Sequence, residues 1–124
     1  MMYPPVYSIL SAAAPVTAYV STRIYPHGAA PQDVAAPYIT WLVQGGAPEN
    51  SLSDLPPIDS YVTVVRVWTD NDGSGGATAY PIAQAVRDAI EPYAHMEDVP
   101  TVTQDAETNR YSVTMTFRFW VDRD

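Results

Sequence analysis

The chain has 124 residues and a formal net charge of −8, from 14 acidic side chains against 6 basic ones, all of them Arg. This length favours one domain, 1–124, large enough to bury a core without covalent staples. The acidic balance argues against gripping nucleic acid or an anionic membrane, the lack of Cys excludes disulfides and thiolate metal sites, and the lack of Lys excludes Schiff-base chemistry and a Walker lysine.

Pro4 and Pro5 suit the first turn of a helix, where a missing N–H costs nothing. Val6, Ile9, Leu10 and Ala13 then fall at helical spacing and form one apolar face. Pro15 ends or kinks this helix, and Val16 to Val20 allow a second short turn. Ala12, Ala13 and Ala14 resemble a leader cleavage site, but no positive charge precedes them and Ser11, Pro15 and Thr17 interrupt the apolar run. No stretch is long enough to span a membrane.

Thr22 to Tyr25 is a short strand candidate, followed by a loop marked by His27, Gly28 and Pro31. Tyr38 to Val43 is rich in strand formers, and Gly45-Gly46 is expected to end it. The loop 45–57 that follows is long for a compact domain, and Leu52 and Leu55 within it are candidate anchors for a partner. Tyr61 to Thr69 alternates without a properly polar face, as a central strand does. The turn 70–76 leads to a helix with Thr78 as a possible cap, Pro81 in its first turn and Ile82, Val86 and Ile90 spaced at four. A weaker strand around Val99 to Thr103 and a turn from Asp105 to Asn109 lead to the cleanest pattern in the chain. There Tyr111, Val113, Met115, Phe117, Phe119 and Val121 take one face of a strand, and Ser112, Thr114, Thr116, Arg118 and Trp120 take the other. The fold expected is α+β: a mainly antiparallel β-sheet of four to five strands with two helices packed on one face, in the order αβββαββ.

Asp70, Asp72 and Ser74 begin like a calcium loop, but Pro81 stands where its closing Glu belongs. Gly73 to Gly76 lacks the ending of a phosphate loop, and His27 and His95 have no metal-ligand spacing. There is neither a nucleophile elbow nor a Cys nucleophile. No catalytic, cofactor or metal set emerges. A repeated tripeptide does: Arg66-Val67-Trp68 and Arg118-Phe119-Trp120. In each, Arg and Trp share a strand face, so neighbouring strands would cluster all four on the sheet face away from the helices. Arg and Trp are the residue types most often found at interface hot spots, and Val62 and Val64 on the same side add apolar surface. Local stacking of Arg on Trp, worth about 1 kcal/mol when exposed, explains the pairs equally well.

Several runs, in order, resemble the tail completion or tail-to-head joining (tail terminator) proteins of long-tailed bacteriophages and related gene transfer agents. They are Pro4 to Leu10, Arg23 to Pro26, Ala36 to Trp41, Pro48 to Asn50, Tyr61 to Trp68, Ala83 to Ala89 and Arg110 to Trp120. The resemblance implies a structural virion protein, not an enzyme, with no cofactor. It implies a homo-oligomeric ring, a hexamer in the family, that caps the tail tube protein and meets the head connector or stopper protein. It places the protein in the tail or neck, assembled in the host cytoplasm, with DNA passing through the lumen without specific binding. On this reading Arg66, Trp68, Arg118, Trp120, Val62, Val64, Leu52 and Leu55 are the candidate subunit or partner contacts. Competing readings are a small non-catalytic binding or assembly-chaperone module and, more remotely, a small metal-dependent hydrolase using His27 or His95.

Overall fold

The computed structural model describes residues 4–26, 29–31, 34–48 and 58–122. Its elements are helices α1 (Val6–Ala12) and α2 (Ala14–Val20), strands β1 (Ile24–Pro26), β2 (Tyr38–Pro48) and β3 (Ile58–Thr69), helix α3 (Ala79–Ile90), and strands β4 (His95–Gln104) and β5 (Tyr111–Asp122). The strands form one sheet in the order β1-β2-β3-β5-β4. All pairings are antiparallel except β1 with β2, which is parallel. The α+β class, the mainly antiparallel sheet and the central place of β3 are those expected.

Alternation along β5 fixes where the core lies. Val113, Met115, Phe117, Phe119 and Val121 enter one buried cluster with Val65 and Val67 of β3 and Ile39 of β2. The helices supply the other layer through Val6, Leu10, Val16, Val20, Ile82, Val86 and Ile90. Ile82, Val86 and Ile90 stack because residues four apart lie on one helical face. On the outer side of α3, Gln84 Nε2 donates to Asp88 Oδ1 at 2.9 Å and Arg87 pairs with Glu91 at 3.0 Å. Arg87 also sits in the last turn, where a cation is favoured by the helix dipole.

The structure departs from expectation in several places. The N-terminal segment makes two helices, because Pro15 falls at the start of α2, where it lacks no needed N–H, while Ala13 is extended between them. Thr78 occupies the N-cap position of α3 but its side chain makes no capping hydrogen bond. Gly45-Gly46 does not end β2. The strand passes them through a register shift between Val43 and Gly45 and continues to Pro48 opposite Asp59. Gly46 is needed there, since a Cβ would lie 2.0 Å from the Ser60 carbonyl oxygen. β4 is longer than its sequence pattern, with irregular register between Met96 and Thr101. It is an edge strand whose Glu97, Asp98 and Pro100 interrupt alternation, features that blunt an edge against stray pairing.

Candidate functional site

The helices cover one side of the sheet, and the even-numbered side chains of β3 and β5 point to the other. β3 and β5 are neighbours, as the repeated tripeptides require. Their antiparallel register nevertheless sets Trp68 opposite Ser112, Arg66 opposite Thr114, Val62 opposite Arg118 and Ser60 opposite Trp120. Arg66 and Arg118 therefore stand four residues apart along the sheet, roughly 13 Å at strand rise. The four side chains do not form one cluster. They form two, at opposite ends of the face.

At the first end, Trp68 stacks on Tyr38, with ring centroids 5.9 Å apart and planes at 8°. Its indole N–H donates to Thr40 Oγ1 at 2.9 Å. Tyr38 is held in turn by the Arg110 guanidinium, 5.5 Å from the ring centroid, and by the edge of Tyr25. Arg110 also donates to the Val34 carbonyl at 2.9 Å and pairs with Asp70 at 3.3 Å. Trp68 is therefore a structural anchor with its donor already used. Arg66, two residues earlier, is exposed, and no hydrogen bond or ion pair engages it among the described residues.

At the second end the roles are exchanged. Arg118 Nε lies 2.6 Å from Glu97 Oε1, and its Nη1 donates to Ser60 Oγ at 3.1 Å. The Ser60 hydroxyl donates onward to the Ala47 carbonyl at 3.1 Å. Arg118 thus ties three strands together. Trp120 is 49% exposed and meets the His95 ring at a centroid distance of 6.5 Å. Each tripeptide supplies one side chain committed to the fold and one left to solvent. The exposed pair is Arg66 and Trp120.

Between the two ends, Val64 is buried at 9% exposure by its neighbours on the sheet, while Val62 is half-buried and Leu42 is exposed. Val64 therefore offers a partner less surface than its strand position suggests. Leu52 and Leu55 lie outside the described residues, as does His27. The partners of Arg118 and the Arg110–Tyr38–Trp68 stack escaped sequence reasoning. Only the long-range register reveals them.

Both carboxylates of the turn 70–76 already have partners. Asp72 Oδ1 accepts the Ser74 N–H at 3.0 Å, and the side-chain and backbone hydrogen bonds of Ser74 lower the Asp72 pKa below 3.8. Asp70 faces Arg110. No group of three metal-ligating His, Asp or Glu side chains converges among the described residues.

The family described as tail completion protein gp17 matches residues 4–122. Solved structures share the fold, among them the following two. One is a chain of the virion of a native gene transfer agent particle, 23% identical, covering 94% of this chain and 91% of that one at a TM-score of 0.72. The other is the bacteriophage SPP1 gp17 protein, 16% identical, covering 95% of this chain and 86% of that one at a TM-score of 0.56. No curated protein matches in sequence.

Proposed function

Because the chain belongs to the family of tail completion proteins gp17, we propose that it acts as a ring of identical subunits, a hexamer, at the end of a tail tube. A tail completion protein is a structural part of the virion and not an enzyme. In the proposed role, the chain folds as one domain, 1–124, and assembles in the host cytoplasm. The ring stops growth of the tube on one side and receives the head connector or stopper protein on the other. The observation that carries this reading is the family match over residues 4–122.

The bare face of the sheet supports it. A ring built by rotation needs two different sticky patches on every subunit. A sheet face with an exposed Arg66 at one end, a half-exposed Trp120 at the other and Leu42 and Val62 between them has the composition of an interface core and rim. Leu52 and Leu55 are proposed as further contacts. The charge of −8 per subunit suits a lumen through which DNA passes without adhering.

Deleting the gene tests the role. The expected outcome is tails of uncontrolled length, or heads and tails that never join, in electron micrographs of the lysate. Normal infectious particles without the protein would refute it.

A further inference from the structure

We propose that Arg66 is the receptor for a carboxylate carried by the adjacent copy of this chain. This inference rests on the ring reading above and assigns one charged contact within it.

The first observation is the contrast among the Arg side chains. Arg23 donates to the Pro37 and Tyr19 carbonyls, Arg87 faces Glu91, Arg110 faces Asp70 and Arg118 faces Glu97. Arg66 alone among the described Arg residues has no partner. Among the described residues, the Arg66 guanidinium on the central strand is left without a partner even though the chain has 14 acidic side chains against 6 basic ones. A lone exposed Arg on a β-strand contributes little to the fold.

The second observation is the shape and chemistry around it. Arg66 and Trp68 form one wall of an open groove of about 560 Å³, with Thr101, Thr103, Ser112 and Thr114 beside them. The Thr103 and Ser112 hydroxyls already bond each other at 3.1 Å. Asp105 also lines the groove, but it does not serve Arg66. Its Oδ1 accepts the Glu107 N–H at 3.1 Å and its Oδ2 accepts the Thr108 hydroxyl at 3.1 Å. A guanidinium beside an aromatic wall binds a carboxylate well, because the planar fork bonds both oxygens.

Charge complementarity identifies the occupant as a second copy. The chain presents carboxylates that no described residue pairs or bonds: Asp98 at the irregular part of the β4 edge, Glu107 at the β4–β5 turn and Asp122 at the end of β5. All three are exposed. They lie on an edge, a turn and a strand end, whereas Arg66 lies on the sheet face. A contact between two different surfaces of identical subunits is the kind that closes into a ring.

The test adds purified protein to tails that lack it and images the tail ends. Bound protein is quantified against salt, and neighbouring copies are cross-linked. Arg66→Glu is expected to weaken ring occupancy by about tenfold or more, and Arg66→Lys by less, as an opposed charge removes more than a lost fork. One of Asp98→Arg, Glu107→Arg or Asp122→Arg, placed in the same chain as Arg66→Glu, is expected to restore occupancy. Urea unfolding of Arg66→Glu is expected to match the unaltered chain, which separates assembly from folding. Unchanged rings with Arg66→Glu would overturn this assignment and leave the ring reading intact. Loss that none of the three reversals restores would overturn the assignment of the partner carboxylate to Asp98, Glu107 or Asp122 of a second copy. Absence of any ring with the unaltered chain would refute the ring reading itself.

Discussion

Replacing the two tripeptide arginines one at a time should separate folding from assembly. Arg118→Ala removes an ion pair to Glu97 whose side chains are 32% and 35% exposed, together with a hydrogen bond to Ser60. Partial exposure screens the pair, which leaves about 0.2–1 kcal/mol for it. The hydrogen bond adds about 0.5–1.5 kcal/mol, toward the upper part of that range because Ser60 is buried. The expected loss is therefore about 1–2 kcal/mol, or roughly 0.5–1 M in urea midpoint at a slope near 2 kcal/mol/M. Arg66→Ala removes an exposed side chain without described partners, so its stability should stay within about 0.5 kcal/mol of the unaltered chain. Unfolding followed by tryptophan fluorescence measures both. Repeating the series near 1 M salt, where the screening length is about 3 Å, should narrow the gap between the variants. The reasoning fails if Arg66→Ala destabilises as much as Arg118→Ala, or if Arg118→Ala is silent.

The remaining predictions concern the core, the close approach of β2 and β3, and the turn before α3. Phe117→Ala, at a fully buried position, should cost about 3–5 kcal/mol, measurable as a large drop in urea midpoint with little change in slope. Gly46→Ala puts a methyl 2.0 Å from the Ser60 carbonyl oxygen and should cost about 1–3 kcal/mol, with amide exchange quickening first at Ala47 and Ser60. Asp72 has a lowered folded-state pKa, so its contribution is complete above 3.8 and fades as pH falls below that value toward the folded pKa. Asp72→Ala should therefore lower the melting temperature slightly at neutral pH, where that contribution is complete, and its difference from the unaltered chain should vanish as pH falls through the folded pKa.

How legible each part was follows from what alternation and spacing can encode. β5 and α3 were readable because strict periods of two and of four residues survive wherever one face is buried. β3 was readable as central because neither face is polar, and it sits in the middle of the sheet. β2 was cut short because glycine usually marks a break, whereas Gly46 is there to let two backbones approach closely. β4 was faint because an edge strand with Glu97, Asp98 and Pro100 is patterned against pairing rather than for a core. The tripeptides implied neighbouring strands and the sheet face away from the helices, and β3 and β5 have that placement. They did not carry the register, so the expected cluster of four separated into two ends. Partners brought together only by that register, Glu97 and Ser60 for Arg118, have no local signature.

Imaging the native particle at the junction of tail and head tests the central claim most directly. The account predicts a ring of copies of this chain at the head-proximal end of the tail tube, with the bare face of the sheet in contact with neighbouring subunits or partners and the helices turned away from that contact. Density for the chain elsewhere in the particle, or its absence from particles whose tails are complete, would contradict it.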